Sequence, residues 1–286
     1  MKALLWIGAA MWVAAPAQAQ TWQLTGFVNA TAVMFTPGPG QAFYNVDDVY
    51  LLNDAAATTM QQVQRTAVVD NGGDAIARFE GEIGLLRGYA AASYPVCCTI
   101  DGTVVTTGYA GGRVDGSFYD TIHVTGAGLA VGTPVRYEVD FDVSGHLSSP
   151  SYESGGYLSA FGLANVLLRD LTSFQEVSFS WDVSRDAGGR YTLVLDTVVG
   201  HSLALSGALN VGASVDAYAT LGRWVEADLG HSAGYSLRPS VAGLNTVGAS
   251  GHDFLAPVPE PEGWALMAGG LLALALQRRA AVQRLV

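Results

Sequence analysis

Tyr137-Glu138-Val139-Asp140-Phe141-Asp142-Val143-Ser144 decides the fold class. Tyr137, Val139, Phe141 and Val143 alternate with Glu138, Asp140, Asp142 and Ser144. A period of two sends successive side chains to opposite faces of a β-strand. The segment therefore reads as a strand with one apolar face and one acidic face.

The same pattern recurs outward from it. Ala77, Phe79, Gly81 and Ile83 interleave with Arg78, Glu80 and Glu82. Phe118, Asp120, Ile122 and Val124 alternate less cleanly with Tyr119, Thr121 and His123. Phe179, Trp181 and Val183 read as the first arm of a hairpin. Ser184 to Gly189 reads as its turn, and Tyr191, Leu193 and Leu195 as its return. Ala55 to Val69, rich in Ala, Gln and Met, is the best helix candidate, although its Thr and Val residues weaken it. Strands about 8–12 residues apart with Gly-rich turns favour a sandwich or barrel over a βαβ sheet. The expectation is an all-β fold, a jelly-roll-like β-sandwich.

The two ends read as processing segments. Lys2, an apolar stretch from Ala3 to Ala15, Pro16 and the Ala17-Gln18-Ala19 site form a secretory signal over residues 1–19. At the other end, Val258-Pro259-Glu260-Pro261-Glu262 precedes an apolar run from Trp264 to Leu276, followed by Arg278 and Arg279. As a helix that run spans roughly 20 Å, short of the roughly 30 Å hydrocarbon core. The two arginines act as a stop to transfer, because burying either near the bilayer centre costs about 2.5–3.5 kcal/mol. Residues 20–257 form the domain between, and 258–286 the tail.

That domain holds ten arginines, 23 acidic residues and no lysine, a formal charge of −13. Nucleic acid is an unsuited partner, since phosphate binding needs a basic face. An anionic membrane surface is equally unsuited. Apolar content is too high for a disordered chain. The two cysteines, Cys97 and Cys98, are adjacent and bound for an oxidising compartment. Adjacent α-carbons lie about 3.8 Å apart, closer than the usual disulfide span of about 4.4–6.8 Å. A strained vicinal disulfide, free thiols and a cross-link to a second chain all stay open.

The tail resembles the PEP-CTERM sorting tail of Gram-negative bacteria, with Pro259, Glu260 and Pro261 as the sorting motif, then the apolar helix and Arg278-Arg279. The resemblance implies export through the Sec translocon and transient anchoring by the tail helix. It further implies recognition by exosortase, a membrane transpeptidase-like protease. Proteins with this tail tend to accompany exopolysaccharide production. Gly116 to Gly126, Gly132 to Phe141, Val215 to Leu221 and Ala249 to Leu255 also resemble ectodomains of that family. The implied location is the outer surface or extracellular matrix.

Catalytic candidates are few. Glu138, Asp140 and Asp142 share one face, and strand residues i and i+2 lie roughly 6.6–6.8 Å apart. That falls within the roughly 6.5–9.5 Å of an inverting carboxylate pair. The run resembles the Glu-x-Asp-x-Glu strand of concanavalin-like glycoside hydrolases, except that Asp142 stands at the last position. A hydrolase would need one carboxyl with a raised pKa as general acid, and aromatic platforms such as Trp181 and Trp224. The plain alternative is an exposed strand carrying solvated charges. Ca²⁺ is a cofactor candidate at the same carboxylates or at the Asp70-Asn-Gly-Gly-Asp74 turn, where Asp70 and Asp74 are ordinary turn residues. His123, His146, His201, His231 and His252 show no ligand spacing and read as surface or loop groups. Neither Gly-x-Ser-x-Gly nor His-Glu-x-x-His occurs. The expected function is structural or adhesive, with polysaccharide bound by aromatic stacking and neutral hydrogen-bonding groups. The alternative is a glycan-cleaving hydrolase on the 138–142 strand.

Overall fold

The computed structural model describes residues 21–36, 42–54, 59–69, 72–94, 99–100, 103–104, 107–149, 158–217 and 223–255. Ala17, Ala19, Asp70, Cys97, Cys98, Pro259, Glu260, Pro261, Arg278 and Arg279 lie outside these residues, and so do the signal and tail segments.

The described chain is all-β. Its strands are β1 (Trp22–Thr36), β2 (Ala42–Asp54), β3 (Gln61–Val68), β4 (Asp74–Glu82) and β5 (Leu85–Tyr94). Next come β6 (Thr99–Ile100), β7 (Thr103–Val104), β8 (Thr107–His123), β9 (Pro134–Val143) and β10 (His146–Ser148). The last are β11 (Leu158–Asp170), β12 (Glu176–Asp182), β13 (Gly189–Val198), β14 (Ser202–Ala217) and β15 (Arg223–Pro239). Sheet A runs in the order β12-β11-β14-β8-β1-β2, and sheet B runs β13-β9-β15-β5-β4-β3. β10 pairs with β15, and β6 with β7. All the pairings are antiparallel.

The inward rows meet in one core. From β9 come Tyr137, Val139, Phe141 and Val143; from β8, Val114, Phe118 and Ile122; from β14, Leu203, Leu205, Leu209 and Val211. Tyr235 of β15 joins the layers, its ring centroid 4.8 Å from Phe118 and 5.2 Å from Phe141. Such aromatic pairs stabilise by about 0.5–1.5 kcal/mol beyond the area they bury. Its hydroxyl crosses to sheet A, donating to the Asn165 carbonyl at 3.0 Å. Phe79 of β4 lies against Gly26 of β1 and Gly116 of β8. A Cβ at those glycines would come within 2.9 and 2.2 Å of the ring. The missing side chains make room for the ring of the opposite sheet.

The alternation read at 77–83, 118–124 and 137–143 appears in the inward and outward rows. Two expectations are corrected. The helix proposed over 55–69 is, in its described part, the strand β3, because pairing with β4 from Gln61↔Gly81 to Val68↔Asp74 outweighs the helical preference of Gln and Ala. The hairpin over 179–195 is a crossover. β12 pairs with β11 in sheet A and β13 pairs with β9 in sheet B, so residues 183–188 carry the chain between sheets. The indole of Trp181 is buried in that passage and donates to the Ala187 carbonyl at 2.9 Å.

Candidate functional site

The 138–142 row lies on the outer face of sheet B, as its period requires. Pairing places Asp140 beside Thr192 of β13 and Ser236 of β15, and Asp142 beside Arg190. Arg238 spans two of the carboxylates, donating from Nε to Asp140 at 2.7 Å and standing 3.2 Å from Glu138. Arg190 grips Asp142 through Nε at 3.0 Å and Nη2 at 2.9 Å. Thr192 adds a 2.6 Å hydrogen bond to Asp140. Burial alone would raise the Asp140 pKa. The hydrogen bonds from Arg238 and Thr192 and the charges of Arg238 and Arg190 outweigh it and hold the carboxyl below its ordinary range.

A general acid must keep a proton near neutral pH. Asp140 is pushed the other way, and all three carboxylates are engaged by arginine. Neither tryptophan named as a platform stands beside the row. Trp181 is fully buried. Trp224 is exposed, but it pairs with Ser93, twelve residues along β15 from the Asp140 partner Ser236. That is up to roughly 40 Å of strand. The row reads as an ion-paired ladder.

Two other carboxylates, neither of them a site candidate from the sequence, are fully buried. Asp170 closes β11 and accepts from Thr172 N–H at 2.7 Å, Ser173 N–H at 3.0 Å, Thr197 at 2.7 Å and His201 Nδ1 at 2.6 Å. Burial acts to raise its pKa, yet these donors drive it far below the usual range. Asp120 of β8 accepts from the Ser250 hydroxyl at 2.5 Å and its N–H at 3.2 Å, and burial wins: its pKa is raised. His252, nearby, is lowered by burial, and its Nε2 has no partner. Ser250 bonds the aspartate through its hydroxyl and receives the His252 N–H at 3.1 Å. That order differs from a nucleophile-base-orienter relay, in which the imidazole stands between serine and carboxylate.

The outer face of sheet A has a different character. Its rows run Asn53, Thr25, Ser117, Ala208, Asn165, Ser180 and Gln23, Tyr119, Ser206, Leu167, Ser178. Thr25 and Ser117 share a 2.6 Å hydrogen bond, and Ser180 donates to Asn165 at 2.6 Å. Gln23 donates to Asn53 at 2.7 Å. Among these lies a shallow groove of about 390 Å³, lined by Gln23, Thr25, Ser117, Tyr119, Asn165, Leu167 and Ser206, with no charged side chain in its lining. The Asn165 amide nitrogen and the Ser206 hydroxyl have no partner among the described residues. Phe161 and Leu163 continue the face as exposed apolar groups.

A second groove, of about 300 Å³, lies on sheet B between Arg78, Glu80, Arg87, Tyr89, Asp228 and Gly230. Of the calcium candidates at the 70–74 turn, Asp74 is an exposed residue at the start of β4. Scattered as they are in sequence, one histidine does join two carboxylates: His146, Glu226 and Asp228 converge. The period-two run Trp224-Val-Glu226-Ala-Asp228 places both acids on one face, but nothing local pairs it with His146, 80 residues earlier.

No family model, curated protein or solved structure matches the chain.

Proposed function

We propose that this chain is an exported, exosortase-sorted protein of the outer cell surface or extracellular matrix of a Gram-negative bacterium. Its body is a jelly-roll-like β-sandwich that holds polysaccharide on the outer face of sheet A. The tail motif and signal segment support the sorting route through the Sec translocon and exosortase, with the tail helix as the membrane contact. The two facing antiparallel sheets support the sandwich. From β8 onward the chain passes repeatedly between sheets, as a jelly roll does.

The observation that carries the binding role is the uncharged groove around Tyr119. A neutral glycan offers hydroxyls as donors and acceptors and C–H faces for stacking. Asn, Gln, Ser and Thr match the first, and a tyrosine ring the second. Burying neutral groups costs far less than burying charges, so such a face can be covered by a sugar chain without stranding an ion.

A glycan array with a parallel reducing-sugar assay tests the reading. Retention of a polysaccharide without turnover, lost in Tyr119→Ala, is the expected result. Turnover abolished by Glu138→Gln would instead favour the hydrolase. Intact mass of the secreted form checks the sorting route, and a product still ending at Val286 contradicts it.

A further inference from the structure

On the outer face of sheet B, away from the ion-paired row, β10 pairs with β15 and sets His146 opposite Asp228. Glu226 lies two residues along on the same face. One ligand atom of each residue lies within 4.8 Å of the other two, and His146 Nε2 is 3.5 Å from Glu226 Oε1. Both carboxylates are steadied by donors outside the trio. The Tyr89 hydroxyl donates to Glu226 Oε2 at 3.2 Å, and the Gly230 N–H donates to Asp228 Oδ1 at 2.6 Å. Glu226 Oε1 is thereby left on the side of His146. Asp228 and Tyr89 also wall the groove of about 300 Å³. A second observation points to an occupant. Arg87 lines the same groove and is only 5 % exposed; its Nη1 reaches Glu80 at 3.4 Å, but its Nε has no hydrogen-bond partner. A buried unpaired donor costs about 1–3 kcal/mol, and an acceptor brought into the groove by a ligand would relieve it.

We propose that His146, Glu226 and Asp228 bind one divalent transition-metal ion of the zinc type, whose open coordination position takes an oxygen ligand beside the groove that Asp228 borders. One imidazole nitrogen and two carboxylate oxygens suit zinc, which accepts three protein ligands and leaves a fourth position open. Calcium wants about six to eight oxygens, which this trio does not supply. With metal bonds of about 2.0–2.2 Å, tetrahedral ligand atoms stand about 3.5 Å apart. The His146–Glu226 pair is already at that separation, and side-chain rotation of the order of 1 Å completes the set. The competing account is an isolated surface ion pair between His146 and Glu226, which needs no metal. The site is independent of the polysaccharide groove on the opposite sheet.

The test is isothermal titration of the full chain, stripped with EDTA, with ZnCl₂ and separately with CaCl₂, alongside thermal melts. One zinc per chain is expected, raising the melting temperature reversibly. His146→Ala and Glu226→Gln should each weaken zinc binding about tenfold or more, whereas Asp142→Asn in the ion-paired row should leave it unchanged. His146 is exposed, so its metal-free variant should melt like the metal-free parent. Absence of a zinc response, a His146→Ala variant that titrates like the parent, or calcium binding as tight as zinc would each overturn the site.

Discussion

The outer faces of sheets A and B arise from the same period-two alternation and end in opposite chemistry. On sheet B, Glu138, Asp140 and Asp142 are closed off by Arg190 and Arg238. Around the sheet A groove, Thr25, Ser117, Asn165 and Ser206 bond lightly or not at all, and charges stand further along that face, among them the pairs Arg113–Asp115 at 2.8 Å and Arg169–Glu176 at 3.8 Å. The difference teaches that density of polar groups is a poor guide to a binding face. A carboxylate held by an arginine has spent its affinity within the protein, while a neutral amide with a free donor has not.

The strongest way to test the contrast uses the interior as a yardstick. Asp170→Ala should destabilise the fold by about 3–5 kcal/mol, read from urea unfolding, because it leaves four donors without their acceptor at about 1–3 kcal/mol for each that stays buried and unsatisfied. Asp140→Ala should cost about 2 kcal/mol, because Arg238 remains exposed to water and its charge is not stranded. Equal losses at both positions would mean that the sheet B row is as closed as the core, and the contrast would need restating.

Acid sharpens the same comparison. The folded pKa values of Asp170 and Asp140 lie below the unfolded carboxylate value of about 3.9. Each therefore contributes stability that is complete above that value and is lost as pH falls through the folded pKa. The urea midpoint should drop between about pH 5 and pH 2, and Asp170→Asn should flatten that drop more than Asp140→Asn does.

Binding should invert the order. Tyr119→Ala is expected to weaken polysaccharide retention about tenfold, or about 1.4 kcal/mol, within the usual worth of an aromatic contact. Asp140→Asn should leave retention unchanged. Ser117→Ala, which removes one hydrogen bond to Thr25, should cost only about 0.5–1 kcal/mol of stability. The smallest effect is expected from salt. Raising NaCl to about 0.5 M shortens the screening length to a few ångströms and should barely change retention on an uncharged groove. A steep salt dependence would shift attention to the charged face of sheet B.

Much of the architecture was legible from residues alone. The inward rows at 77–83, 118–124 and 137–143 follow directly from alternation, because facing is a local property of a strand. The failures share another cause. Gln61 to Val68 has the composition of a helix and becomes a strand because β4 supplies its partner. Phe179 to Leu195 has the pattern of a hairpin, yet its arms join different sheets because β11 and β9 already offer edges on either side. Trp181 could pass for a sugar platform until the crossover buried it. The candidate grooves were less legible still. Tyr119 and Asn165 lie 46 positions apart and share a face only through β8, β14 and β11.

Alternation and charge were determined by the sequence itself, and with them an all-β class and an outward-facing acidic row. Which arginine meets which carboxylate, where the uncharged groove opens, and that His146 finds Glu226 and Asp228 were decided only by the tertiary structure. Side-chain direction is set within one or two residues, whereas strand neighbours are chosen by burial of whole faces across long chain separations, and no local pattern encodes that choice.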